Sequence, residues 1–71
     1  MPESTYKIIE LVGTSEDSWE EAARTAVETA GESLKELRIA EVTRLDLTVE
    51  KGKVKNFRTR LSVSFKYMKG D

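Results

Sequence analysis

Seventy-one residues without Cys or His leave room for one small domain, taken here as residues 1–71, and remove two usual supports of such a domain, the disulfide and the common zinc site. Twelve Lys and Arg against thirteen Asp and Glu give a formal net charge of −1, which argues against a general grip on nucleic acid or an anionic membrane. A single core of this size supplies only a few kcal/mol, so self-association is the expected remaining support.

Met1–Ser4 carries no basic region followed by an apolar core, and no apolar run approaches a bilayer span, so a cytoplasmic location is expected. Thr5–Val12 (TYKIIELV) is rich in β-branched and aromatic residues and reads as a strand, closed by Gly13. Gly13–Ser18 is polar and ends in a capping box. Ser18 can accept from the Glu21 amide while the Glu21 side chain returns to the Ser18 amide. A helix follows from Trp19, its apolar stripe set by Trp19, Ala22, Ala23, Ala26, Val27, Ala30, Leu34 and Leu37. Four alanines in that stripe let the helix axis lie close to a sheet.

After Leu37–Arg38 the period becomes two. Leu45, Leu47 and Val49 share a face, but Ala40 and Val42 are out of phase with them, and a bulge near Thr43 reconciles the halves. Glu50–Lys53 is a turn. From Val54 to Tyr67, Phe57, Thr59, Leu61, Val63, Phe65 and Tyr67 alternate with Asn56, Arg58, Arg60, Ser62, Ser64 and Lys66. The expected class is α+β: a β-α-β-β chain whose curved three-stranded antiparallel sheet wraps one helix, with the first strand beside the third. One helix covers one face of that sheet. The polar face of the third strand is therefore expected to meet neighbouring subunits.

Chemistry for catalysis is sparse. Gly13 alone makes no phosphate cradle, and the common Ser and Cys mechanisms have no His partner, so no enzyme is expected. Glu16, Asp17, Glu20 and Glu21 first of all suit the positive end of the helix dipole, and secondarily the oxygen-rich shell of a hard cation such as calcium. Glu41, Asp46 and Glu50 can pair across strands with Arg58, Arg60 or Lys55. Arg58 and Arg60, two apart on one strand, point the same way and suit either inter-subunit ion pairs or a small anion such as a phosphate or carboxylate. Trp19, in the first turn of the apolar stripe, reads as a packing residue at the end of the core.

Taken end to end, the sequence resembles the dodecins, in YKIIELVGTS (6–15), SWEEA (18–22), Glu41-Val42, Gly52-Lys53-Val54 and LSVSF (61–65). That resemblance implies a hollow homo-oligomer of twelve βαββ subunits that binds flavins without catalysing a reaction. It also locates a flavin pocket, and there this chain departs. The position of the ring-stacking Trp is Ile39, and that of the Gln on the flavin edge is Arg58, an obligate cation without an acceptor. FMN or riboflavin binding is therefore expected to be weakened or lost, with Ile39, Glu41, Arg58 and Arg60 lining the equivalent pocket. The expected role is to bind, store or buffer a small anionic molecule or a cation, with neither nucleic acid nor membrane as partner. Two alternatives stay open: a calcium-binding shell, with Asp17 and Glu20 as the metal carboxylates, and a purely structural assembly.

Overall fold

A computed structural model describes residues 4–67; the reading of Met1, Pro2 and Glu3 as lacking a leader lies outside them. Strand β1 (Tyr6–Ser15), helix α1 (Trp19–Gly31), and strands β2 (Leu37–Glu50) and β3 (Lys53–Lys66) follow in that order. The sheet order is β1-β3-β2, with both pairings antiparallel, as the alternating patterns require. Among the described residues no helix is long and apolar enough to cross a membrane.

The first strand does not stop at Gly13; it pairs with β3 as far as Ser15 opposite Phe57. Gly13 serves another purpose. A Cβ built there would lie 2.0 Å from the Ala22 carbonyl oxygen and 2.9 Å from the Ala26 Cβ, so its bare backbone is what lets α1 sit down on β1. The capping box is half formed: Ser18 Oγ accepts from the Glu21 amide at 3.0 Å, whereas the Ser18 amide donates to Ser15 Oγ at 3.4 Å. Ser15 Oγ also accepts from the Asp17 amide at 2.9 Å, which ties the end of β1 to the start of the helix. The helix ends at Gly31, so Leu34 lies in the connection and Leu37 opens β2, although both continue the helical apolar spacing. Leu37 still packs against the core. The apolar period therefore reports which side faces the core, and the backbone leaves the helix three residues before Leu34.

The irregularity near Thr43 is present. Val42 pairs with Leu61 and Arg44 with Arg60, leaving Thr43 as the extra residue, its hydroxyl donating to the Arg60 carbonyl at 3.1 Å. The extra residue turns Ala40 and Val42 to the same side as Leu45 and Leu47, the side that faces the helix. At the hairpin, Lys51 (φ 53°) and Gly52 (φ 77°) are both left-handed, as a two-residue type I′ turn demands.

Ala22, Ala26, Leu61 and Val63 form the buried centre, with Ile9, Leu11, Ala23, Val27 and Leu37 packed around it. Thr59 is buried as well and donates to the Trp19 carbonyl at 2.9 Å. Helix α1 covers β1 and β3 and leaves the same side of β2 open, with Val42 49% and Leu45 54% exposed. Beyond the Ser15–Phe57 pair, β2 and β3 continue as a two-stranded arm that carries the exposed Val49 and Val54. The radius of gyration is 14.7 Å, against about 11 Å for a compact chain of this length. Accessible surface is 5719 Å², against roughly 4,500 Å² for a monomer of this mass.

Candidate functional site

The sheet face turned away from α1 collects the polar residues of all three strands. Strand register orders them in rows that run across the sheet. Ile8, Ser64 and Ile39 make one row; the next holds Glu10, Ser62 and Glu41. Below these lie Val12, Arg60 and Arg44, and then Thr14, Arg58 and Asp46. Every pocket residue expected from the sequence, Ile39, Glu41, Arg58 and Arg60, stands on this one face.

Ile39 and Arg58 do not meet in one chain. Ser64, the partner of Ile39, is six residues from Arg58, a separation of about 20 Å at roughly 3.4 Å per residue. Ile39 is 67% exposed, its backbone carbonyl accepting from the Ser64 hydroxyl at 3.4 Å. Glu41 lies beside Ser62 and is exposed. A pocket built from Ile39 and Arg58 needs these residues from two copies of the chain.

Arg58 has a partner within its own chain. Its Nε and Nη2 donate to the two carboxylate oxygens of Asp46 at 2.7 and 2.9 Å, the two-pronged geometry that a planar guanidinium favours. Those hydrogen bonds hold the Asp46 carboxyl below the usual carboxylate range, against a smaller opposing effect of burial; the charges of Arg58 and Arg60 act in the same direction as the bonds. Arg58 is raised further above its ordinary value, chiefly by the same bonds. The expected cross-strand pairing is thus realised at Asp46–Arg58, and again at Glu50–Lys55, 3.5 Å apart. Within the chain the Asp46–Arg58 pair is neutral, and among the described residues the other cations of this face, Arg44, Arg60 and Lys66, form no ion pair.

Trp19 is a packing residue, as its position in the stripe implied. Its ring meets Phe57 edge-on at 5.1 Å, and its Nε1 donates to the Asp46 carbonyl at 3.1 Å. That bond fixes the backbone of the residue whose side chain holds Arg58. Asp17 and Glu20 flank the helix start and are exposed. Among the described residues no three carboxylates come close enough to hold a metal ion.

Two charged members of this face were not singled out in the sequence: Glu10, hidden within an apolar strand, and Arg44. The bulge at Thr43 shifts Arg44 onto the open face, directly opposite Arg60. Counting alternation outward from both sides of the bulge would have found it.

Comparison with known proteins agrees with this architecture. The family model "Dodecin" matches residues 5–68. Calcium dodecin of Mycobacterium tuberculosis is 43% identical over 63 residues, 89% of either chain, and dodecin of Thermus thermophilus is 38% identical over 61 residues, 86% of this chain and 88% of that one. Among solved structures, dodecin from Streptomyces coelicolor superposes with a TM-score of 0.91 at 34% identity, covering 99% of this chain and 100% of the other. The M. tuberculosis calcium dodecin, described as calcium-chelating with a novel calcium-binding site, superposes with a TM-score of 0.83 at 42% identity, covering 96% and 97%. With the family model spanning nearly the whole chain and the β-α-β-β fold shared, the chain belongs to the dodecin family.

Proposed function

We propose that this chain is a single-domain, non-catalytic binding protein that works in the cytoplasm as a homo-oligomer, of twelve subunits on the family pattern, and holds a small ligand between subunits with its flavin site weakened. The carrying observation is the Asp46–Arg58 pair. The residue at the flavin-edge position is a cation whose fork is already taken by a carboxylate of its own chain. It has no acceptor to offer, and the ring-stacking position holds Ile39, which contacts a ring by dispersion alone. The residues present therefore do not fit an isoalloxazine ring as a Trp and Gln would. The excess surface and the uncovered side of β2 support the oligomeric part of the reading.

A second reading, favoured by 43% identity to a calcium dodecin, gives the ligand as calcium. Hard cations take six to eight oxygens, and the described residues of one chain bring together no three carboxylates. Asp17 and Glu20 then act as one chain's share of a site completed by another copy, by backbone carbonyls or by water.

Native mass spectrometry with riboflavin, FMN and calcium added in turn tests both readings. A twelve-subunit mass that takes up no flavin is expected, and stoichiometric flavin uptake would overturn the weakened site. For calcium, the expected result is a melting temperature raised in wild type and unmoved by calcium in Asp17→Asn with Glu20→Gln. No shift in wild type at millimolar calcium would remove that reading.

A further inference from the structure

Residues 57, 58 and 59 of β3 point alternately to the two sides of the sheet: Phe57 and Thr59 face α1, and Arg58 between them faces the open side. Trp19, the first residue of α1, holds both flanking positions. Its carbonyl accepts from the Thr59 hydroxyl at 2.9 Å, and its ring meets Phe57 edge-on at 5.1 Å. Thr59 is 1% exposed, so the first of these contacts is shielded from water. A third contact reaches the next strand, where the indole Nε1 donates at 3.1 Å to the carbonyl of Asp46, the residue paired with Arg58. Among the described residues it is the one hydrogen bond between α1 and β2. Strand β1 ends one pair further on, at Ser15 opposite Phe57, and β2 is an edge strand. Asp46 therefore has a strand on one side only, and the indole supplies a second hold at the root of the two-stranded arm.

We propose that Trp19 is a positioning residue for Arg58: acting through the sheet from the helix side, it keeps Asp46 on the guanidinium and so keeps Arg58 closed to small anions such as inorganic phosphate. This rests on the reading of Arg58 as part of the ligand site and adds what controls its charge. A two-pronged pair depends on such a hold, because both N–H···O bonds form together only while carboxylate and guanidinium stay aligned. The charged groups beside Asp46 on its own face are Arg58 and Arg60 of β3 and Arg44 of β2, and all three are cations. With Asp46 withdrawn they make an uncompensated cluster in two rows about 7 Å apart. With Asp46 held, the site favours a ligand that is uncharged where it meets Arg58.

The test compares melting of the full chain in phosphate and in chloride at matched ionic strength and neutral pH, with circular dichroism reporting the fold. Trp19→Phe keeps a ring on Phe57 and removes the donor. Replacement of Trp19 by benzothienylalanine keeps the outline of the indole with sulfur in place of N–H, and it decides the matter if Trp19→Phe fails to fold. Asp46→Ala, which opens the pair outright, is expected to be stabilised by phosphate with a half-saturating concentration about threefold or more below that of wild type. The two proteins without the indole donor are expected to shift in the same direction, and to lose the shift when Arg58→Gln is added, which a merely structural role for Trp19 does not predict. A folded donor-less protein that responds to phosphate as wild type does, while Asp46→Ala responds more strongly, would overturn the role of Trp19. An Asp46→Ala response equal to that of wild type would overturn the closure of Arg58 to anions. Flavin uptake or a monomeric mass in native mass spectrometry speaks against the function proposed above, and the phosphate comparison still decides the role of Trp19.

Discussion

Arg58 shows how one residue's neighbours decide its chemistry. A lone guanidinium at a pocket wall attracts anions; one held by both oxygens of Asp46 is a cross-strand clasp. The clasp has a pH signature. Because the folded carboxyl of Asp46 lies below its unfolded value, its contribution to stability is present above about pH 4 and is lost as pH falls through the lowered folded value. Asp46→Asn is therefore expected to be less stable than wild type near neutrality. The two proteins converge as acid protonates the wild-type carboxyl, while effects from the other carboxylates are common to both. Urea midpoints at about pH 7, 5 and 2 check this, and two parallel curves would mean that the pair does not form in solution.

At the level of elements, the hairpin turn gives the clearest prediction. Lys51 occupies the first left-handed position of the type I′ turn, where a side chain with a Cβ is disfavoured and Asn is preferred. Lys51→Asn is expected to raise unfolding free energy by up to about 1 kcal/mol in urea titration, with no change in assembly mass. An unchanged midpoint would argue for a different turn in solution. Strand order, the helix start, the hairpin and the Thr43 bulge were legible because each follows from a local signal: alternation, a capping Ser, a Gly-centred turn and a break of phase. Gly13 was misread because a glycine that permits close approach looks, in sequence, the same as one that ends a strand. Only the 2.0 Å gap to Ala22 separates the two. The end of the helix was misread for a related reason: Leu34 and Leu37 keep to the core side after the backbone has changed course. As to the site, the face shared by Ile39, Glu41, Arg58 and Arg60 was legible from period two. The distance between Ile39 and Arg58, which keeps those two from sharing a pocket in one chain, follows from register across a bulge.

The whole molecule exposes more surface than its mass warrants, and the excess has an address. Val42 and Leu45 lie on the helix side of β2, and Val49 and Val54 on the arm beyond the end of β1. Helix α1 packs mainly on β1 and β3 and leaves all four of these side chains about half exposed or more. If the chain acted as a monomer, a polar change at Val49, 63% exposed, would move stability by no more than about 0.5 kcal/mol. In an assembly that covers the arm, the same change buries a charge without a partner in every copy. Val49→Asp is accordingly expected to leave the secondary structure of the chain intact while lowering the mass seen in solution and making the melting temperature depend steeply on protein concentration. Retention of the full mass by Val49→Asp would place the arm at the solvent side of the assembly and leave the side of β2 next to α1 as the remaining apolar surface to be covered.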